Sequence, residues 1–218
     1  MEVINFLIDF VLHMDVHLNE IITNYGAWTY GILFFVIFME TGFVVTPFLP
    51  GDSLLFAAGT FAALGSLNPL YLFGLLTVAA VLGDTVNYSI GAYIGERAFS
   101  GTIKFLKQEH LERTQKFYEK HGGKTIILAR FIPIIRTFAP FVAGVGTMKY
   151  SRFISYNVVG GIAWVAIFTF LGYFFGNIPF VTKHFELVIF AIIFISFIPP
   201  VFEVFKARRE AKEAVVVE

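Results

Sequence analysis

Two arginines, Arg130 and Arg136, lie inside an apolar stretch that is punctuated by prolines, IILARFIPIIRTFAPFVAGVG. No acidic residue occurs between Lys124 and Glu186 to pair with them locally. A charged side chain in a membrane core costs roughly 2.5–3.5 kcal/mol on insertion scales, so such residues usually mark a substrate or ion path. The pattern therefore predicts a membrane transporter.

The chemistry that these arginines offer is anion recognition. A guanidinium stays charged at any working pH and presents a planar fork of donors that suits phosphate. Pro133 lies between them, so an unbroken helix would not align the two side chains, whereas a hairpin would let both face a shared cavity. Two interpretations stay open: Arg130 and Arg136 bind an anionic substrate, or each ties its segment to an acid elsewhere in the chain.

The acids that could balance the arginines lie upstream, at Glu40, Asp52 and Asp84. A carboxylate in a low-dielectric site can exchange protons near neutral pH. For Glu40, proton coupling competes with a role as arginine partner, and for Asp52 it competes with capping of the helix that follows. Asp84, with Asn87 and Tyr88, lies on a segment rich in small residues, which is typical of a polar contact between helices.

Other kinds of chemistry find no support. The chain has no cysteine, and its five histidines are scattered without a ligand spacing that acids would complete. Neither a G-x-S-x-G motif nor a phosphate-binding loop is present. The sequence thus predicts no catalytic residue, no metal and no cofactor, which disfavours an enzyme such as a lipid phosphatase. A formal net charge of zero argues against a nucleic-acid partner.

The composition is that of an integral membrane protein. Hydrophobic residues make up 57% of the chain and charged residues 15%, where soluble domains carry about a quarter charged residues. A bilayer requires about 20 apolar residues for each helical span. Four segments meet this length: Ala27–Val45, Pro69–Gly95, Phe153–Gly176 and Phe185–Phe205.

Two further apolar segments, at about 46–66 and 125–147, are interrupted by Pro and Gly and predict re-entrant helical hairpins. In each, a proline-led start is followed by Ala-Gly and then by a span that ends in Gly-x-x-x-Gly, which is typical of close helix packing. The resulting prediction is an all-α polytopic membrane protein, in which an inverted repeat of hairpins accompanies about four transmembrane helices. Such a repeat places the substrate site near the midplane.

The basic residues predict the orientation. Lys and Arg are absent from the first 96 residues, whereas seven of the 16 lie between Arg97 and Lys124. The positive-inside rule puts this segment, a helix at about 96–122, in the cytoplasm together with the tail at 207–218. The N-terminus is then cytoplasmic as well, because two spans precede Arg97.

The N-terminal residues 1–25 show apolar positions at helical spacing with acids largely opposite. This pattern predicts an amphipathic helix at the membrane surface. The membrane domain then covers residues 26–206.

Three motifs resemble the DedA family: ETG at 40–42, FLPGDSLL at 48–55 and RFIPIIRTFAPFVAG at 130–144. Members are bacterial inner-membrane proteins, also called SNARE-associated or VTT-domain proteins, and the similarity covers about residues 25–180. The resemblance implies two re-entrant hairpins that face each other. It also implies functional roles for the positions that match the family's essential acidic and basic residues, which are Glu40, Asp52, Arg130 and Arg136.

The resemblance further implies lipid translocation, with undecaprenyl phosphate recycled by some members and phospholipids flipped or scrambled by others, in association with the proton motive force. The predicted function is therefore a flippase- or scramblase-like translocase of a phosphate-bearing lipid, with membrane lipids and protons as partners and a homo-oligomer left open. Arg130 and Arg136 would neutralise the headgroup, and protonation of Glu40 or Asp52 would free an arginine. The alternative is a proton-coupled antiporter of small ions or solutes that uses the same carboxylates.

Overall fold

The computed structural model describes residues 14–43, 51–99, 122–146 and 148–195. Within these ranges the secondary structure is helical and contains no strand, which confirms the all-α prediction. The residues 1–13, almost all of the helix predicted at 96–122 and the whole tail at 207–218 lie outside them. The helices are α1 (Met14–Tyr25), α2 (Trp28–Gly42), α3 (Gly51–Ala63), α4 (Pro69–Phe99), α5 (Lys124–Ala129), α6 (Pro133–Val145), α7 (Tyr150–Phe175), α8 (Pro179–Lys183) and α9 (Phe185–Ile195).

In the described ranges, two helices are long and apolar enough to cross a bilayer. They are the Pro69–Gly95 part of α4, with 27 residues, and Tyr150–Phe175, with 26 residues. Both helices expose large apolar side chains, as a lipid-facing surface does: Val78 and Leu82 on α4, and Val159, Ile162, Ile167, Leu171 and Phe174 on α7. Two of the four segments predicted to span the membrane are therefore confirmed as membrane-length apolar helices.

The other two predicted spans coincide with shorter apolar helices, α2 and α9. The segment predicted at Ala27–Val45 continues through residues 44 and 45, and the one predicted at Phe185–Phe205 continues through residues 196–205. Both continuations lie outside the described ranges, so these two spans stay predictions.

Local sequence explains where α3 ends and α4 begins. Gly65 has a φ of 82°, in the left-handed region that glycine adopts without strain, and it follows the last turn of α3. Asn68 then caps α4, because its Oδ1 accepts the backbone N–H groups of Leu70 at 3.1 Å and Tyr71 at 3.0 Å. Pro69 takes the first helical position, where a missing N–H leaves no hydrogen bond unmade.

The short helices pack against long helices from the opposite part of the chain: α3 lies on α7, and α6 lies on α4. Four glycines allow these close approaches, because a Cβ on any of them would collide with a backbone carbonyl of the partner helix. Each helix pair has one such glycine on either helix, and the contacts of the two glycines are symmetric. The residue that one glycine contacts lies three positions before the glycine of that same helix. The contacts are Gly59 with Thr169, Gly172 with Phe56, Gly91 with Phe141 and Gly144 with Tyr88.

Helix α3 occupies the interior of the molecule. Its residues from Gly51 to Ala62 are all buried, and its apolar side chains join a core to which α2, α4 and α7 contribute Leu33, Leu72 and Trp164. A helix that is apolar on all sides and fully enclosed is expected to be a core element. Because Asp52 lies in its first turn, the fold carries a carboxylate into that core.

Candidate functional site

Arg136 holds two carboxylates from two different helices. It lies in the first turn of α6, which begins at Pro133. Its Nη1 donates to Asp52 Oδ1 at 2.5 Å, and its Nη2 donates to Glu40 Oε1. The exposed fractions of Arg136, Asp52 and Glu40 are 7%, 6% and 1%. These three residues, the Arg136 ion cluster, therefore join α2, α3 and α6 by charge-assisted hydrogen bonds inside the protein.

The N-terminus of α3 supports the carboxylates of this cluster. The backbone N–H of Gly51, the first residue of α3, donates to Glu40 Oε1 at 3.2 Å. The partial positive charge at a helix N-terminus also favours the nearby Asp52 carboxylate. A Cβ at position 51 would collide with the Glu40 carboxylate, so glycine is what permits the close approach.

Arg130 forms a separate cluster. It lies in the turn between α5 and α6, and only 2% of it is exposed. Its Nη2 donates to Asp84 Oδ2 on α4 and to Asn157 Oδ1 on α7. Asn157 is itself oriented, because its Nδ2 donates to the carbonyl of Val81 at 3.0 Å. We call Arg130, Asp84 and Asn157 the Arg130 ion cluster. This cluster joins the two membrane-length helices to the turn before α6.

Trp164 on α7 lies next to both guanidiniums. The centre of its ring is 5.0 Å from Cζ of Arg136 and 5.8 Å from Cζ of Arg130, within the range of cation–π attraction. Its Nε1 donates to Asp52 Oδ1 at 2.7 Å. Trp164 is completely buried, so it is a fixed aromatic neighbour that the two ion clusters share.

Asn87 ties the Arg136 ion cluster to α4. Its Nδ2 donates to the backbone carbonyls of Thr41, at 3.2 Å, and Thr137, at 2.7 Å. Each of these threonines directly follows a member of the cluster in the sequence. Tyr88, the next residue, serves a different contact, because its hydroxyl donates to the carbonyl of Met148. Asn87 therefore holds the backbone directly after Glu40 on α2 and directly after Arg136 on α6.

Several buried polar atoms near the clusters make no hydrogen bond to any described residue. Buried polar groups are nearly always hydrogen-bonded in native proteins. The atoms left over here include both donors and acceptors, so this region has the capacity to bind a further polar group. They are Glu40 Oε2, Arg136 Nε, Arg130 Nε, Arg130 Nη1, Asn87 Oδ1 and Ser53 Oγ.

In the described ranges, no three His, Cys, Asp or Glu side chains are grouped so as to hold a metal ion.

All seven site residues that the sequence analysis singled out are buried in the structure. The predicted hairpin lets Arg130 and Arg136 face a shared cavity. In the structure, each arginine pairs with different acids: Arg130 pairs with Asp84, and Arg136 pairs with Glu40 and Asp52.

Sequence reasoning missed Asn157 and Trp164. They are seven residues apart in the third predicted span, which puts them on one helix face two turns apart. A polar residue and one of only two tryptophans on the same face of an apolar span were the available signal.

Known proteins resemble this chain over most of its length. Residues 49–174 match the VTT domain family. Protein DedA of Escherichia coli is 54% identical over 98% of this chain and 99% of its own length. An uncharacterised membrane protein of Mycobacterium tuberculosis is 44% identical over 84% of this chain and 83% of its own length. The inner membrane protein YqjA of Escherichia coli is 36% identical over 71% of each chain. No solved structure gives a significant match.

Proposed function

Because the chain belongs to the DedA family of VTT-domain membrane proteins, we propose that it translocates a phosphate-bearing lipid, such as undecaprenyl phosphate or a phospholipid, across the bacterial inner membrane. The observation that carries this proposal is the burial of two guanidiniums, Arg130 and Arg136, in an apolar helical protein. Ionisable groups at such positions are costly, and in membrane proteins they commonly mark a substrate path.

We further propose that α3 and α6 are the inner arms of two re-entrant hairpins in an inverted repeat. Each has 13 residues, too few to span a bilayer. Their mirrored packing on α7 and α4 through paired glycines supports a repeat of this kind. The N-terminal turns of the two helices carry two members of the Arg136 ion cluster, Asp52 on α3 and Arg136 on α6, and helix N-termini favour anions. The orientation that follows from the basic residues, with both chain termini in the cytoplasm, is part of the same proposal.

The mechanism rests on the balance of charge around Arg136. Two carboxylates face one guanidinium, so the Arg136 ion cluster carries a formal charge of −1 when all three groups are ionised. Proton uptake by Glu40 or Asp52 neutralises the cluster and weakens the hold on the guanidinium. Arg136 is then free to pair with a phosphate, and Arg130 supplies a second cation near it, while the lipid tail stays in the bilayer.

The direct test is headgroup translocation by the Arg136→Ala variant in proteoliposomes. A headgroup-accessibility assay on undecaprenyl phosphate, phosphatidylethanolamine and phosphatidylglycerol measures the rate and identifies the lipid. We expect Arg136→Ala to fold and reconstitute but not to translocate. Arg152→Ala, at an exposed arginine near the start of α7, is the matched control and keeps the activity. Translocation at the wild-type rate by Arg136→Ala would reject the role of this residue.

Proton coupling is tested separately with Glu40→Gln, which keeps the shape of the side chain and removes its titration. Wild-type translocation is expected to become faster as the pH falls, because protonation releases Arg136. The variant is expected to lose most of this pH dependence. An unchanged pH profile would count against proton coupling at Glu40.

A proton-coupled antiporter of small ions or solutes is the second candidate. The observation in its favour is that three buried carboxylates accompany two buried guanidiniums, which leaves one acid in excess. It predicts substrate-dependent proton flux in vesicles made of glycolipids without phosphate. Flux under these conditions, with no lipid translocation, would favour the antiporter.

A further inference from the structure

We propose that Trp164 is a positioning residue that allows Arg136 to leave its carboxylates, because the indole N–H keeps Asp52 hydrogen-bonded after the guanidinium has turned to a lipid phosphate. The inference rests on the proposed function, since the phosphate is the group that draws Arg136 away. Neither the sequence motifs nor the family resemblance assigns a role to Trp164.

Without Arg136, the carboxylates of Glu40 and Asp52 would be buried charges with no countercharge, and Trp164 would lower the cost of that state. When one partner of a buried ion pair is removed, the remaining ion is strongly destabilised, because it has neither water nor a countercharge. Arg136 can therefore leave at low cost only if Glu40 and Asp52 do not remain without a hydrogen-bond donor. A second donor to each carboxylate would meet this condition.

Both carboxylates of the Arg136 ion cluster have such a donor in place. On Glu40, the oxygen that accepts from Arg136 also accepts the N–H of Gly51 at 3.2 Å. On Asp52, the oxygen that accepts from Arg136 also accepts Nε1 of Trp164 at 2.7 Å. The shorter second donor is thus a side chain on α7, a different element from those that carry the two arginines.

The surroundings of Trp164 hold it in this position. The residue is fully buried in the middle of α7, and its ring lies edge-on to Phe168 with the centroids 6.5 Å apart. The same ring lies within cation–π distance of both guanidiniums. Arg136 can therefore give up its carboxylates and still retain the Trp164 ring as an attractive neighbour.

A purely packing role for Trp164 would need its bulk but not its N–H, and a double-mutant cycle separates the two. The four proteins are wild type, Trp164→Phe, Asp52→Asn and the double variant. The ligand is dihexanoyl phosphatidic acid in maltoside micelles, and the rise in Tm with ligand concentration gives the affinity. Dihexanoylglycerol, which lacks the phosphate, is the matched control ligand.

We expect Trp164→Phe to bind phosphatidic acid roughly tenfold more weakly than wild type, the effect of losing one hydrogen bond to a charged group. In the Asp52→Asn background, where the amide oxygen accepts only a weaker, uncharged hydrogen bond, the same substitution should cost less. An equal loss in both backgrounds would overturn the inference, because the effect would then not pass through Asp52. If Trp164→Phe does not fold, Trp164→Tyr, which lacks the same N–H, replaces it in the cycle.

The chain also offers a spectroscopic readout, since it has two tryptophans. Trp28 is 78% exposed, so Trp28→Phe leaves Trp164 as the single reporter. Its emission is expected to change with phosphatidic acid and not with dihexanoylglycerol. A rise in Tm without any change in emission would overturn the inference alone. Absence of phosphatidic acid binding by the wild type would overturn the proposed function, and the inference with it.

Discussion

Removal of the Asp84 carboxylate tests the Arg130 ion cluster most directly. In Asp84→Ala, Arg130 stays buried, with 2% of its surface exposed, and keeps two uncharged neighbours, the Asn157 side chain as hydrogen-bond acceptor and the Trp164 ring at cation–π distance. Breaking a buried ion pair from one side costs about 3–5 kcal/mol. The retained hydrogen bond to Asn157 favours the lower end, so we expect a loss of about 3 kcal/mol in the free energy of unfolding.

The assay is thermal unfolding of the purified protein in micelles. For a chain of this length, each kcal/mol shifts Tm by about 2–4 °C, so Asp84→Ala should lower Tm by about 6–12 °C. Ser89→Ala is the matched control on the same helix, because Ser89 is exposed and its hydroxyl donates only to the carbonyl of Thr85 within α4. Its effect should stay within about 0.5 kcal/mol.

A compensating double variant makes the test sharper. Asp84→Ala combined with Arg130→Met removes both charges, and replacement of a buried ion pair by apolar side chains is often neutral for stability. We therefore expect the double variant to regain most of the lost Tm, and we expect it not to translocate lipid, because the Arg130 guanidinium is gone. If Asp84→Ala lowers Tm no more than Ser89→Ala does, the reasoning that the pair is buried and desolvated is refuted.

Three further predictions concern the Arg136 ion cluster. Gly51→Ala places a Cβ against the Glu40 carboxylate. It should lower the free energy of unfolding by about 1–3 kcal/mol and should also slow translocation. In the control Gly74→Ala, the added Cβ points into open space, and the free energy of unfolding should rise by up to about 1 kcal/mol. Asn87→Ala removes the side-chain donor that the carbonyls of Thr41 and Thr137 share, and the free energy of unfolding should fall by about 1–3 kcal/mol. Arg136→Lys keeps the charge but loses the fork that spans two carboxylates, so the headgroup assay should show a slower rate; a wild-type rate would contradict the need for two-point pairing.

The sequence was informative about which ionisable residues lie at unusual positions, because charge in an apolar segment is rare and expensive. Arg130 and Arg136 stood out for that reason, as did the upstream acids, and all of them are buried in the structure. Membership of the DedA family was also predictable, since the motifs around Asp52 and Arg136 are specific, and the match to the VTT domain confirms it.

The partners of each charge were not predictable. Asp84 and Arg130 are 46 residues apart, and Glu40 and Arg136 are 96 residues apart. No periodicity within a single helix encodes which acid meets which arginine, because that choice depends on how α3 and α6 pack across the long helices. The role of Trp164 was hidden for the same reason, since its N–H meets Asp52 from a helix 112 residues further along the chain.

The amino-acid sequence alone thus determined the helical class, the two membrane-length helices and the set of buried ionisable residues, because each follows from local composition and the cost of placing charge in an apolar medium. Only the tertiary structure decided that the charges divide into two hydrogen-bonded clusters, which share one tryptophan as a neighbour. The division depends on glycines that let α3 approach α7 and α6 approach α4 to backbone contact, and such distances between remote segments are set by packing in three dimensions.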